Sequence, residues 1–376
     1  MNALLDTVDP DGLLEYSVVF TDRSLNHMSG AFQGVMCDIS AMLKEVYGAS
    51  HVAVIPGGGT FAMEAVARQF AGDQDVLVVR NGWFSFRWSQ ILDAAKIARE
   101  VTVIKARPMG NSAQSPYAPP PIEEVTAQIR ARRPGIVFAP HVETSAGIIL
   151  PDDYIAALAE AAHEVDALLV LDCIASGTIW VDMAATGVDV LISAPQKGWS
   201  AQPCAGLVMM SDRAKARMEE TQSSSFAADL KGWAGIMAAY EAGGHAYHAT
   251  MPTDALRVFR DTMLETRAYG FERLKAAQWQ LGNGVRAMLA EKGIRSVAAD
   301  GFGAPGVVVS YTDDPAIKSG AKFMELGIQI AAGVPLRVDE PDSFMTFRIG
   351  LFGLDKLYDV PAALSRLQDG IDRVFP

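Results

Sequence analysis

The stretch Ala194-Pro195-Gln196-Lys197-Gly198 places a lysine directly after a strand-like run. That run, Val188-Asp189-Val190-Leu191-Ile192-Ser193, is too apolar for a surface loop and predicts a buried parallel strand. A lysine at the end of such a strand lies near the edge of the sheet where ligands bind. Its amine can form a Schiff base with a carbonyl compound once its pKa is lowered.

A second buried strand upstream ends in a carboxylate. Leu168-Leu169-Val170-Leu171 is followed by Asp172, with one turn region and one strand between this residue and Lys197. Each residue alone has an ordinary interpretation, because strand-terminal aspartates are common in α/β enzymes and most loop lysines are solvated. Together they favour pyridoxal phosphate (PLP), whose protonated ring nitrogen needs an anionic partner and whose aldehyde needs an amine.

The composition is that of a globular protein and argues against several partners. The chain has 376 residues and a net charge of −12, which disfavours nucleic acid because such a partner needs a basic face. No apolar stretch reaches the length of a membrane span, and the first six residues lack a secretory signal. The cysteines Cys37, Cys173 and Cys204 cannot form a disulfide framework, so we expect reduced thiols in the cytoplasm.

The order of the apolar segments predicts two unequal domains. Seven strand candidates alternate with helical patterns between about residues 51 and 210, as a mostly parallel sheet with crossover helices requires. We expect an N-terminal segment over 1–20, a large domain over 21–253 and a smaller α+β domain over 254–376. The small domain would open with one long hinge helix, because the helical pattern of 254–292 contains no proline.

A glycine-rich turn between the first strand and the next helix suits an anion. Glycines in Gly57-Gly58-Gly59-Thr60 allow close backbone approach, and the helix amino terminus offers free N–H groups to a phosphate. Alone, this turn is weak evidence, since it is also compatible with a tight turn or a dinucleotide site. The spacing G-x-G-x-x-G of dinucleotide-binding proteins is absent here.

Taken together, these segments resemble the class V aminotransferases of fold type I, nearest the alanine–glyoxylate and serine–glyoxylate group. The resemblance runs from about Met28 to the carboxyl terminus, and its marks stand in the family's order. They are Gly57-Gly58-Gly59-Thr60-Phe61-Ala62-Met63-Glu64-Ala65, Asn81-Gly82, His141-Val142-Glu143-Thr144-Ser145-Ala146-Gly147, Asp172, Gln196-Lys197, Tyr247-His248-Ala249-Thr250-Met251-Pro252 and Phe347-Arg348-Ile349-Gly350.

The resemblance implies a role for each matching residue. Lys197 would bind PLP covalently and move a proton between the substrate Cα and C4′ of the cofactor, while Asp172 keeps the ring nitrogen protonated. Phe84 stands where the family stacks an aromatic side chain on the cofactor ring. Trp83 is one position away, and either aromatic could instead be a core residue. Thr144 would contact the phenolic oxygen, or serve only as a turn residue. The remaining cofactor-binding residues are Gly58, Gly59, Thr60 and Gln196, of which the last three would hold the phosphate.

Three further residues bear on assembly and substrate. Tyr247 and Thr250 match family residues that reach the phosphate of the neighbouring subunit, which implies a homodimer with shared active sites. Arg348 matches the arginine that binds the substrate α-carboxylate, its alternative being a structural ion pair. His245 and His248 lack a third ligand, so no metal site is expected.

The implied activity is transfer of an amino group from a small amino acid to a small 2-oxo acid such as glyoxylate or pyruvate. A lyase on the same fold and a non-catalytic PLP-binding protein remain alternatives. Desulfurases of this class need a cysteine in the carboxyl-terminal half, and none follows Cys204. The amino terminus departs from the family pattern in a region that lines the substrate pocket. Arg80, Arg87 and Arg107 are either surface charges or readers of an acidic substrate side chain.

Overall fold

The computed structural model describes residues 5–376, so the first four residues of the predicted segment 1–20 lie outside it. The helices are Gly30–Tyr47 (α1), Gly59–Phe70 (α2), Trp83–Ala94 (α3), Ile122–Arg132 (α4), Asp152–Glu164 (α5), Met183–Thr186 (α6), Asp212–Glu220 (α7), Leu230–Glu241 (α8), Thr253–Tyr269 (α9), Phe271–Glu291 (α10), Pro315–Lys318 (α11), Ala321–Met324 (α12), Leu354–Leu357 (α13) and Val360–Val374 (α14). The strands are His51–Pro56 (β1), Asp75–Arg80 (β2), Glu100–Lys105 (β3), Arg107–Pro108 (β4), Tyr117–Ala118 (β5), Ile136–Pro140 (β6), Val142–Glu143 (β7), Ile148–Ile149 (β8), Leu168–Asp172 (β9), Val190–Ser193 (β10), Ala205–Met210 (β11), Val307–Tyr311 (β12), Ala331–Ala332 (β13) and Thr346–Gly350 (β14).

A seven-stranded sheet forms the centre of the molecule, in the order β1-β11-β10-β9-β6-β2-β3. Five neighbouring strands, from β10 to β3, run parallel, whereas β11 is antiparallel to both β10 and β1. The edge strand β1 therefore has β11 as its single neighbour in this sheet, within the part of the chain described. The mostly parallel, seven-stranded sheet predicted from the sequence is confirmed.

The carboxyl ends of the parallel strands bring the predicted catalytic residues to one edge of this sheet. Asp172 ends β9 and stands in register with Ile192 of β10 on one side and with Pro140 of β6 on the other. Lys197 follows the end of β10 by four residues, in the loop that leads to β11. Parallel neighbours end at the same edge, which is where open α/β sheets bind their ligands.

The helical pattern over 254–292 forms two helices instead of the single hinge helix expected. Gly270 separates α9 from α10 at φ +106°, a backbone conformation that a residue with a Cβ rarely adopts. Leu256 and Phe259 of α9 belong to the buried cluster that contains the seven-stranded sheet. Leu274 of α10 belongs instead to a separate cluster formed with α14 and the second sheet. The domain ranges 1–20, 21–253 and 254–376 stay a prediction.

A small antiparallel sheet, in the order β12-β14-β13, carries Arg348 at its centre. Arg348 of β14 pairs with Val309 of β12 and with Ala331 of β13. The long segment from Gly333 to Met345 connects β13 to β14. Within residues 5–376, every helix is too short or too polar to cross a membrane.

Candidate active site

The glycine-rich turn between β1 and α2 forms a cradle for an anion. Gly58 precedes α2 in an extended conformation, and no side chain caps the first turn of this helix. The first N–H groups of α2 are therefore available to a ligand oxygen. A Cβ on Gly59 would collide with the side chain of Ile174, so glycine at this position lets the cradle pack against the loop after Asp172.

Arg87 adds a positive charge to this cradle, an assignment that the sequence left open. Its Nη1 donates a hydrogen bond to Thr60 Oγ1 at 3.0 Å, and its guanidinium lies 5.4 Å from the centroid of the Phe84 ring. Arg87 thus lies against two of the predicted cofactor-binding residues, Thr60 and Phe84. Gln196, beside Lys197, has a buried Oε1 without a hydrogen-bond partner among residues 5–376, as expected of a group that a ligand completes.

Asp172 is held with its carboxylate out of water. It is 8% exposed, and its Oδ1 accepts a hydrogen bond from Ile174 N–H at 3.0 Å. Burial raises the pKa of Asp172 to about 7, the Ile174 N–H opposes this shift, and the charges of Glu143 and Arg87 act in opposite directions. An adjacent cation would restore ionisation of this carboxyl group, and a protonated pyridine nitrogen is such a cation.

Lys197 projects from a turn that the loop after Asp172 holds in place. Ser200 N–H donates to the Lys197 carbonyl at 3.0 Å, and a Cβ on Gly198 would collide with the Gly177 carbonyl. The Lys197 Nζ lies 5.1 Å from the centroid of the Phe352 ring. Burial, and then the charge of Arg348, lowers the pKa of Lys197, which increases the fraction of neutral amine that can attack a carbonyl carbon.

Arg348 is a half-buried cation in the same region. Its Nε donates to the Ala332 carbonyl at 2.8 Å, and its guanidinium lies 5.6 Å from the Phe84 ring centroid. Burial lowers the pKa of Arg348, although the charge of Glu143 opposes this change. No carboxylate lies within 4 Å of the Arg348 guanidinium in the described part of the chain, which disfavours the structural ion pair.

The first turn of α3 distinguishes Phe84 from Trp83. The Phe84 ring faces Arg87 and Arg348, whereas the Trp83 ring packs on Phe86, with 6.1 Å between the two centroids. Phe84 is therefore on the side of Lys197 and Asp172. Thr144 lies in the buried turn between β7 and β8, and is 7% exposed.

Glu143 is a buried carboxylate of the candidate site to which the sequence analysis gave no role. Its carboxylate is completely buried and accepts hydrogen bonds from Phe84 N–H at 3.2 Å, from Ser85 N–H at 2.9 Å and from Ser145 Oγ at 2.7 Å. An anion at the amino terminus of α3 stabilises this helix. It also orients Phe84 towards the cofactor site. The signal in the sequence was a carboxylate shortly after the continuous apolar strand β6, close to the sheet edge at which Asp172 ends β9.

Tyr247 and Thr250 are not brought to this site within one chain. Tyr247 is 55% exposed, and its hydroxyl lies 3.1 Å from Thr250 Oγ1. No hydrogen bond in the described range connects either hydroxyl to Thr60, Asp172 or Lys197. Both hydroxyls face solvent before any association of chains.

The donor set fits PLP group by group. The cradle of Gly58, Gly59 and Thr60 offers N–H groups and a hydroxyl to a phosphate, and Arg87 contacts Thr60. Asp172 offers an anion to a protonated ring nitrogen, and Lys197 offers an amine to the aldehyde.

Known proteins share this chain's sequence and architecture. The family model described as Aminotransferase class-V matches residues 13–295. The alanine–glyoxylate aminotransferase of Oryctolagus cuniculus is 24% identical over 345 residues, which are 88% of this chain and 82% of that protein. The 2-aminoethylphosphonate–pyruvate transaminase 2 of Paraburkholderia xenovorans is 28% identical over 360 residues, covering 94% and 90%.

A solved structure has the same fold. The crystal structure of alanine–glyoxylate aminotransferase from Nostoc sp. superposes with a TM-score of 0.77 at 22% identity, and covers 93% of this chain and 89% of that one. The family match spans well over half of the chain, in agreement with the site described above. The chain therefore belongs to the class-V aminotransferases, enzymes of fold type I that depend on pyridoxal phosphate.

Proposed function

We propose that this aminotransferase moves an amino group from a small amino acid, such as alanine or serine, to a small 2-oxo acid, glyoxylate or pyruvate. The observation that carries the proposal is Arg348, a half-buried cation that packs against Phe84 and has no carboxylate partner among residues 5–376. A planar guanidinium there suits the α-carboxylate that donor and acceptor share. The names of the Oryctolagus and Paraburkholderia relatives, which include alanine, glyoxylate and pyruvate, support these substrates.

The residues of the chain divide the chemistry among them. When bound, PLP supplies the aldehyde that carries the amino group and a ring that accepts electrons from Cα. Asp172 holds the proton on the ring nitrogen, and Lys197 takes the proton from Cα and returns it at C4′. Glu143 sets the orientation of Phe84 through the first turn of α3. Arg348 fixes the α-carboxylate, so that successive substrates occupy the same position.

Arg348→Lys tests this function through both half-reactions. In the wild-type holoenzyme, alanine or serine should convert the visible absorbance of the lysine-bound cofactor to that of its amine form, and glyoxylate or pyruvate should reverse the change. The variant should raise KM for both substrates by about 10-fold or more, because a lysine cannot reproduce two parallel hydrogen bonds.

Stopped-flow spectra of each half-reaction provide the measurement. If only one half-reaction weakens, Arg348 binds a substrate side chain instead of the shared α-carboxylate. If no amino acid changes the spectrum of the wild-type holoenzyme, the proposed transaminase activity is wrong. Release of a product from the amino acid without an acceptor would identify a lyase.

We also infer that the enzyme is a cytoplasmic homodimer with shared active sites. The three cysteines are free thiols, which supports a reducing compartment. Tyr247 and Thr250 are exposed, and among the described residues their hydroxyls make a hydrogen bond to each other and none to Thr60, Asp172 or Lys197. A second copy related by a twofold axis would accept both hydroxyls at its phosphate cradle, and twofold symmetry is the commonest arrangement of identical chains.

Mixed dimers provide the test of shared sites. A Lys197→Ala chain and a Tyr247→Phe/Thr250→Ala chain should each be poorly active alone. After subunit exchange, a mixed dimer has one site with all three changes and one intact site. Random exchange of equal amounts should therefore restore about a quarter of the wild-type activity. If verified exchange restores nothing, each site is built from one chain.

A further inference from the structure

A second cation-rich cavity lies on the opposite side of the first turn of α3. It has a volume of about 530 Å³ and is bounded by the end of β2 and by the segment that connects β13 to β14. The Phe84 ring packs against Arg87 and Arg348, whereas Phe86 lines this cavity. The Arg337 guanidinium lies 5.1 Å from the Trp83 ring centroid, and that of Arg80 lies 4.7 Å from the Phe86 centroid.

Arg80 is buried in the wall of this cavity, and no carboxylate of the described residues pairs with it. It is 9% exposed, its Nη2 donates to Ser89 Oγ at 2.8 Å, and its Nη1 donates to the Arg337 carbonyl at 3.2 Å. Its Nε has no hydrogen-bond acceptor among residues 5–376. Burial lowers the pKa of Arg80, and the charge of Asp339 only opposes this effect. A buried guanidinium without an anion is destabilising, so an anion that bound here would stabilise the protein.

The acidic residues of the same cavity are largely occupied by other partners. Lys105 Nζ donates to Asp339 at 2.7 Å. The Glu340 carboxylate accepts N–H groups of its own loop from Leu336 at 2.6 Å and from Arg337 at 3.0 Å.

Cations outnumber anions in the cavity wall. Lys105 pairs with Asp339, which leaves Arg80, Lys318 and Arg337 against the carboxylates of Glu340 and Asp342. Thr346 adds a hydroxyl that is 1% exposed and has no hydrogen-bond partner within the described residues. Three cations and a buried hydroxyl thus surround one volume.

We propose that this cavity binds a small soluble anion through carboxylate or phosphate oxygens, separately from the cofactor and the substrate α-carboxylate. Arg80 supplies the buried guanidinium, and Arg337 of the connecting segment and Lys318 of α11 supply the other two cations. The connecting segment begins next to Ala332, whose carbonyl accepts the Arg348 Nε hydrogen bond. An occupied cavity therefore stabilises the segment that directly follows Ala332, one partner of Arg348.

The test measures anion binding to the PLP-loaded enzyme, so that the phosphate cradle of the cofactor is already filled. Inorganic phosphate and succinate are titrated separately, by calorimetry and by the unfolding midpoint. We expect at least one of the two anions to bind, and to raise the midpoint of thermal unfolding by an amount that grows with its concentration relative to its Kd. Arg80→Met and Arg337→Ala should each raise the Kd of that anion by about 10-fold or more, because each removes a charge-assisted hydrogen bond.

Two matched variants give the control. Arg107→Ala removes an exposed arginine that pairs with Glu124 outside this cavity, and it should leave the response unchanged. Arg348→Met removes the cation of the substrate site and should also keep the response. The proposal fails if neither anion binds, or if binding disappears with Arg348→Met but survives Arg337→Ala. If Arg80→Met does not fold, Arg337→Ala alone tests the proposal. Arg337 is exposed, so we expect this variant to keep its fold.

Discussion

The Lys197→Ala enzyme is expected to lose the visible absorbance of the lysine-bound cofactor and about 10³-fold or more of kcat. In the proposed mechanism one nitrogen atom has two tasks, because the Lys197 Nζ would both attach the cofactor and carry the proton at Cα. Its lowered pKa and the rigid turn from Pro195 to Ala201 prepare it for both. Absorbance spectra and single-turnover rates with alanine provide the measurement.

A lysine elsewhere on the surface gives the matched control. Lys215 pairs with Glu219 on α7, remote in sequence from the strand ends of the site, and Lys215→Ala should keep both the spectrum and the turnover. Adding excess PLP to Lys197→Ala distinguishes lost chemistry from lost cofactor. Wild-type transamination by Lys197→Ala would contradict the assignment of the active site.

Asp172→Asn is expected to slow proton removal from Cα by about 10²–10⁴-fold while the fold is retained. Asparagine can still accept the Ile174 N–H bond, but it carries no charge to keep the ring nitrogen protonated. Rates of the alanine half-reaction, measured in single turnovers, give the effect. A loss smaller than about 10-fold, a difference of only ~1.4 kcal/mol, would indicate a structural aspartate.

The pH dependence of stability in the cofactor-free protein distinguishes an Asp172 that serves the cofactor from one that stabilises the fold. Burial raises its pKa from 3.8 to about 7, so the folded chain binds an extra proton between these values. Ionisation of Asp172 therefore destabilises the folded chain progressively as the pH rises through this window. Without cofactor, Asp172→Asn should unfold at or above the wild-type midpoint at pH 8, and the difference should shrink towards pH 5. A lower midpoint at pH 8 would mean that the ionised carboxylate stabilises the fold by itself.

The central sheet and the placement of Asp172 and Lys197 followed from short-range patterns. Buried parallel strands are continuous apolar runs, and the residues after their carboxyl ends must meet at one edge. The break at Gly270 was missed because a single glycine inside a helical pattern is usually tolerated. Its φ of +106° results from the different cores that α9 and α10 join, which is a long-range effect.

The contacts around α3 could not be predicted for a related reason. Whether Trp83 or Phe84 faces Arg348 depends on the rotation of α3 about its axis. The buried Glu143 carboxylate sets that rotation from a point far along the chain. The hydrogen bond between Arg87 and Thr60 likewise connects two helices whose separate sequences show no sign of it. Side-chain contacts between distant segments depend on the complete packing, and not on local periodicity.

The pairing of β1 with β11 has a consequence for synthesis on the ribosome. The strand that leads into the phosphate cradle must wait for a partner that begins at Ala205, about 150 residues later. At translation rates of about 5–20 residues per second, that delay is roughly 8–30 s. Val52, Ala53, Val54 and Ile55, all buried in the finished sheet, remain an unpaired apolar edge during this time. The nascent chain is therefore most exposed to aggregation and chaperone capture before β11 emerges, and the cofactor cradle is among the last parts of the sheet to form.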